Sequence, residues 1–218
     1  MYYKEWIKTR WYLLLMLIAT LGVVGYCLLF LHGLIARKGI DHVWFVIITR
    51  DATFINTLQF VPLIAGTLLA IVQFVPEMYH KCLKLTLHLP APHLRVVTQM
   101  LAFGLIAIVV CSLLNLLLLW IYLEQLLVVE LWSRILLTAL PWYLAGLAAY
   151  LLGAWIILEP TWRGRVFNLI VALLVVRIYF VCSIPTSYNG FLPWLSLFTL
   201  ALLPLSWISI ARFKEGKE

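Results

Sequence analysis

Charge is what this sequence has least of. Only 11% of its 218 residues are Asp, Glu, Lys or Arg, where chains folded in water carry about a quarter. So few charges cannot solvate a chain of this size, which excludes water as its main solvent. Recognisable chemistry is scarce too. No GxxxxGK[ST] phosphate loop occurs, so ATP binding of that type is not expected in this chain. No HExxH pattern, carboxylate pair or Ser/His arrangement supports an intramembrane hydrolase. The cysteines, Cys27, Cys82, Cys111 and Cys182, are scattered without metal-ligand spacing and read as structural thiols. Neither an internal repeat nor a low-complexity segment stands out.

What the sequence has in abundance is apolar length. Hydrophobic residues make up 65% of the chain, and the mean hydropathy is +1.04. A helix needs roughly 20 apolar residues to cross the hydrocarbon core. Apolar runs predict about six spans, near 11–33, 52–76, 96–123, 136–158, 166–184 and 192–211. The expected fold is all-α, a single polytopic transmembrane domain over 1–218, leaving no room for a catalytic domain. Trp11–Leu31 is too long for a signal h-region and reads as a retained first span. Pro62, Pro141 and Pro204 fall inside predicted spans, where each removes a helix hydrogen bond.

The basic residues set the orientation. With the N-terminus inside, the cytoplasmic segments hold Lys4, Lys8, Arg10, Lys81, Lys84, Arg95, Arg163, Arg165, Arg212, Lys214 and Lys217. The opposite side holds Arg37, Lys38, Arg50 and Arg134, so eleven against four favours both termini in the cytoplasm. Segments 34–51 and 124–134 then read as external loops, and 183–190 as a short uncharged one. A net charge of +7 distributed in this way marks cytoplasmic loops rather than a nucleic-acid surface.

Two segments carry more specific information. In 77–89, Glu77, His80, Lys81, Lys84 and His88 fall on one face of a helix that ends at Pro90. It reads either as an interfacial helix against lipid headgroups or as a docking helix for a cytoplasmic partner. In residues 1–10, MYYKEWIKTR, one side carries Tyr3, Trp6, Ile7 and Arg10, and the other Lys4, Glu5 and Lys8. That pattern suits an interfacial helix, or simply a basic anchor, ahead of the first span.

Together these segments resemble permeases of the ABC-2 exporter type, the membrane subunits of ATP-binding-cassette exporters. MYYKEWIKTRW is similar to the interfacial elbow helix that opens such permeases. PEMYHKCLKLTLHLPAPHLRVVTQ is similar to their second cytoplasmic region, with Glu77, Lys81, Lys84, Leu89, Pro90 and Arg95 as its marks. The resemblance implies a non-catalytic permease in a bacterial cytoplasmic membrane, paired with a second permease, identical or different. It implies two separate ATPase subunits, which would hold ATP and Mg, and no cofactor in this chain. Segment 77–89 would be the coupling helix, with Glu77, His80, Lys81, Lys84 and His88 facing the ATPase. The re-entrant helices that often precede the family's last span have only about ten residues available here, Cys182 to Phe191.

Polar residues inside the spans are the remaining candidates. Arg177 lies deep in the fifth predicted span, which suggests a translocation path, a permease interface, or snorkelling with Glu124 or Glu130 as partner. Asn115 and Asn168 suit helix-to-helix hydrogen bonds or the same path. Ala145, Ala149 and Gly153 repeat at four-residue spacing and suit close helix packing, within the chain or between permeases. Two other functions compete: a membrane scaffold that moves no substrate, and a haem or quinone redox subunit. The five histidines fall at or outside span boundaries, which disfavours haem. The charge count yields the first prediction. Reporter fusions at the N- and C-termini should both give cytoplasmic signals, and an external signal from either would break the assigned orientation.

Overall fold

The computed structural model describes residues 2–50, 53–79, 93–182 and 184–214, and the secondary structure of these residues is entirely helical. In chain order the helices are α1 (Tyr2–Lys38), α2 (Ile40–Arg50), α3 (Val61–Tyr79) and α4 (His93–Glu124). They continue with α5 (Val129–Leu158), α6 (Trp162–Ile178), α7 (Leu192–Ala201) and α8 (Leu203–Lys214). Single 3₁₀ turns at Asn56–Leu58 and Asn189–Phe191 precede α3 and α7. Five stretches are long and apolar enough to cross a membrane: Tyr2–Lys38, Asn56–Tyr79, Arg95–Glu124, Val129–Leu158 and Asn189–Arg212. The chain is therefore an all-α protein of the kind that forms integral membrane bundles.

Local sequence explains the boundaries. Nothing in residues 2–38 breaks a helix, and Glu5 in the first turn and Arg37 and Lys38 in the last suit the helix dipole. At 37 residues α1 is about 55 Å long, far more than the hydrocarbon thickness of about 30 Å. Gly39 stops it by adopting φ +81° and donating its N–H to the Ile35 carbonyl at 2.9 Å. Pro62 occupies the first turn of α3, where a missing N–H is harmless. Pro76 and Pro141 lie within helices α3 and α5. The last apolar run is split between α7 and α8 at Leu202, just ahead of Pro204.

Several predicted boundaries move. Residues 2–10 run without a break into α1, so no separate elbow helix forms among them. Segment 34–51, expected as a loop, is the end of α1 followed by α2, whose Val43 and Ile47 join an apolar cluster with Leu28 and Leu31. The loop expected at 124–134 shrinks to the four residues between α4 and α5. It shrinks because Leu127 and Leu131 are drawn into the same cluster. The run expected over 166–184 forms a helix only over Trp162–Ile178, 17 residues, about 25 Å.

Contacts between helices define their directions. Lys4 meets Glu77 and the Tyr12 hydroxyl donates to the Ala65 carbonyl at 3.0 Å, so α1 and α3 are antiparallel. α3 and α5 run parallel, with Gly66 against Gly146 and Ala70 against Gly153. α6 starts beside Glu159, where Arg165 donates to its carbonyl, and the chain past its far end stacks Phe180 on Phe60. α8 returns, placing Ser209 and Arg212 at Glu159. The described helices thus run back and forth along the bundle, with both described ends at one end of it.

α5 is the centre of this bundle. In α5, 72% of the most apolar window is buried, against 28–39% in the other four long stretches. Its glycines let α3 approach closely: a methyl at Gly66 would overlap the Gly146 carbonyl oxygen, and one at Gly146 would lie 2.6 Å from the Pro62 carbonyl oxygen. Overpacking of this sort costs about 1–3 kcal/mol. Gly66→Ala should therefore lower the Tm of the detergent-purified protein by several degrees. Gly22→Ala, which meets nothing within 4 Å, should not lower it and should raise it slightly, because alanine is the better helix former. Equal Tm values for the two variants would remove the close approach as a source of stability.

Candidate functional site

Among the described residues the buried charged side chains, Glu5, Glu77 and Glu159, all lie at the end of the bundle that carries both described termini. Glu77, 3% exposed, sits near the C-terminal end of α3. Its Oε1 lies 3.0 Å from Lys4 Nζ and 3.1 Å from Lys8 Nζ. Lys8 also reaches Glu5 Oε2 at 3.3 Å, and Glu5 is fully buried. Helical spacing produces this set: Lys4, Glu5 and Lys8 share one face of α1, and Thr9 closes the turn by donating to the Glu5 carbonyl at 2.8 Å. The opposite face carries the exposed Tyr3, Trp6, Ile7 and Arg10, as the two-sided sequence pattern implies. Two carboxylates and two ammonium groups neutralise one another here, which is what burial of charge requires.

A second polar junction stands at the C-terminal end of α5. Glu159, 1% exposed, accepts from Ser209 Oγ at 2.6 Å and lies 3.7 Å from the Arg212 guanidinium. Its backbone carbonyl accepts from Arg165 Nε at 2.7 Å. The following Thr161 caps α6 by accepting from the Gly164 N–H at 3.2 Å. One carboxylate therefore ties α5, the start of α6 and the end of α8 together. Sequence reasoning passed over Glu159. The available signal was an isolated acid immediately before Pro160 in a segment otherwise carrying only arginines.

Between these junctions lies a buried polar chain. The Tyr150 hydroxyl donates to Gln73 Oε1 at 2.8 Å, and Gln73 Nε2 donates to the Met100 carbonyl at 2.8 Å. Three helices, α5, α3 and α4, are joined by two fully buried side chains. Gly104 makes room for this, because any side chain there would overlap the Tyr150 ring. Neither Gln73 nor Tyr150 stood out in the sequence.

The predicted site residues separate in space. Of the docking face, only Glu77 is among the described residues, and its carboxylate is occupied by α1 rather than turned outward. His80, Lys81, Lys84 and His88 lie outside the described residues. Arg177 is exposed in the last turn of α6, towards the far end of the bundle, where a cation complements the helix dipole. Asn115 is buried and lines a space of about 20 Å³ with residues of α1, α3 and α5. That volume holds about one water and no substrate. Asn168 is buried in α6. Ala145 and Ala149 are buried in α5, and Gly153 packs against Ala70 of α3, so at Gly153 the small-residue stripe serves packing inside the chain. The glycines that allow closest approach, Gly66 and Gly146, were missed because each is a single residue whose partner is far away in sequence.

The chain matches no known family model, no curated protein and no solved structure. Its functional reading therefore rests on its own residues and geometry.

The Glu77 junction is directly testable. Glu77→Ala leaves Lys4 and Lys8 without their shared anion and should cost about 1.5–3 kcal/mol, the usual range for charge-assisted hydrogen bonds. Lys4→Ala should cost less, because Lys4 is 44% exposed and Lys8 still reaches the carboxylate. Thermal unfolding in detergent should rank the variants in that order, and the reverse order would show that the carboxylate is not the centre of the junction.

Proposed function

We propose that this chain is the membrane-spanning permease subunit of an ATP-driven exporter of the ABC-2 type. In this reading it crosses the membrane six times with both termini in the cytoplasm. It forms the translocation path with a second permease and contains no catalytic residues of its own. Two ATPase subunits hold ATP and Mg and dock against the segment between α3 and α4.

The observation that carries the proposal is the anchoring of that segment. It leaves the bundle at the end where Lys4, Lys8, Arg95, Arg163, Arg165 and Arg212 are concentrated, the side that the positive-inside rule assigns to the cytoplasm. Its root on α3 is held to α1 by Glu77. It rejoins the bundle at α4, which is tied to α3 and α5 through Gln73 and Tyr150. A push by a partner on 80–92 would therefore reach α1, α3, α4 and α5 through buried contacts rather than dissipate in a loose loop. Lys81 and Lys84 supply charges for docking, and Glu77 acts as the hinge-side anchor rather than as an exposed docking group.

A scaffold that moves no substrate would use the same surfaces but would not regulate an ATPase. Co-purification from the native host should retain an ATPase subunit, and ATP hydrolysis by the reconstituted complex should respond to the permease. The double variant Lys81→Glu/Lys84→Glu should insert normally yet lose at least about tenfold of that response, the effect of removing about 1.4 kcal/mol of coupling. Unchanged ATP hydrolysis and export in the double variant would refute the docking assignment.

A further inference from the structure

The outer face of α1 and the neighbouring face of α4 bound a lateral groove of about 1030 Å³. That is at the upper end of the roughly 300–1,000 Å³ typical of ligand pockets. α1 and α4 run side by side in the same direction, with Tyr2 beside Phe103 at a ring separation of 6.5 Å. The groove changes character along its length. Its inner section is aromatic, lined by Tyr3, Trp6 and Phe103, and its outer section is aliphatic, lined by Leu14, Leu17 and Leu114. Arg10 lies between them, its guanidinium 5.5 Å from the ring centroid of Trp11.

Charge distinguishes Arg10 from the other two basic residues of this turn. Lys4 and Lys8 point to the opposite face of α1 and are neutralised by Glu5 and Glu77. The groove lining contains no carboxylate, and among the described residues no acid pairs with Arg10. A cation without an anion, flanked by Trp and Tyr, is the pattern found at the headgroup level of a bilayer. From Arg10 the aliphatic section continues to Leu17, about 10 Å, within the depth of a leaflet of about 15 Å.

We infer that this groove is a binding site for an anionic phospholipid of the inner leaflet, with its phosphate at Arg10 and an acyl chain laid between α1 and α4. Charge complementarity selects the occupant. The groove offers one cation and a long apolar wall, and a phosphodiester with an attached hydrocarbon chain matches both. A second copy of this chain would have to bring a carboxylate to Arg10, and the exposed faces of α6 and α7 are apolar apart from the α6 arginines. From the proposed function the inference takes only the cytoplasmic N-terminus, which puts the groove in the inner leaflet. It is otherwise separate, since it concerns a surface on the far side of α1 from Glu77.

Native mass spectrometry of the full chain in detergent tests it, with dioleoyl-phosphatidylglycerol and dioleoyl-phosphatidylcholine as probes at equal concentration. The wild type should retain the anionic lipid roughly fivefold better, the preference that one basic side chain supplies near a membrane surface. Arg10→Gln should equalise the two lipids. Ala107→Phe, which fills the groove floor, should reduce retention of both. Equal retention by the wild type, or a preference that survives Arg10→Gln, would overturn the assignment. So would an Ala107→Phe variant that splits a dimer while keeping its lipid, because the groove would then belong to a second copy. Should Ala107→Phe fail to fold, acyl-brominated phosphatidylglycerol gives an independent reading. It should quench the wild type more than Trp11→Phe, and equal quenching would also refute the site.

Discussion

The contact between α3 and α5 is the constraint on which the rest of the bundle depends. Inside a bilayer no water competes for polar groups, so helices associate through close packing and internally satisfied hydrogen bonds. Gly66 and Gly146 bring the two backbones together, and this approach places Tyr150 where its hydroxyl meets Gln73. Gln73 in turn holds α4 through the Met100 carbonyl. With α3, α4 and α5 fixed, α1 packs in the position where Lys4 and Lys8 meet Glu77. A substitution at either glycine would displace every one of these partners together.

The charged groups are divided by function as well as by place. Glu5, Glu77 and Glu159 are buried at one end and matched by Lys4, Lys8 and Arg212. These pairs fasten helix ends, and they engage the buried acids among the described residues. Arg10 is left over on the outer side of α1, where the aromatic and aliphatic groove, and not charge balance alone, sets it apart from the exposed Arg95 and Arg163 at the same end. Positive charge at this end therefore has two consequences. Under the positive-inside rule it would set the orientation of the bundle in a membrane, and it leaves particular cations available for ligands or partners.

Much of this was legible in the sequence, element by element. Apolar length marked five of the long helical stretches, and the third run, 96–123, matches α4 to within a few residues. The two-sided pattern of residues 1–10 was correct about faces and wrong about continuity. Amphipathicity reports which side chains share a face, whereas a bend between 10 and 11 would need a breaker that the chain does not have. The loops at 34–51 and 124–134 were misread because Asp, Glu, Arg and Lys there suggested solvent. Neighbouring Val43, Ile47, Leu127 and Leu131 fold those segments into helix instead. Arg177 was read as lying deep in a span because the fifth run seemed longer than it is. With α6 ending at Ile178, the same residue stands at a helix end.

By itself the sequence determined the solvent and the architecture: an all-helical chain too apolar for water, with basic residues biased to one side. Those are properties of composition and periodicity, summed over tens of residues and insensitive to any one contact. Only the tertiary structure decided which polar groups meet. Lys4 finds Glu77 across 73 positions, Tyr150 finds Gln73 across 77, and Ser209 finds Glu159 across 50. Pairings over such distances depend on which helix lies beside which, and in this bundle glycine contacts between α3 and α5 set that arrangement. Hydropathy carries no record of them, because a glycine that touches another backbone and one that faces lipid are the same letter.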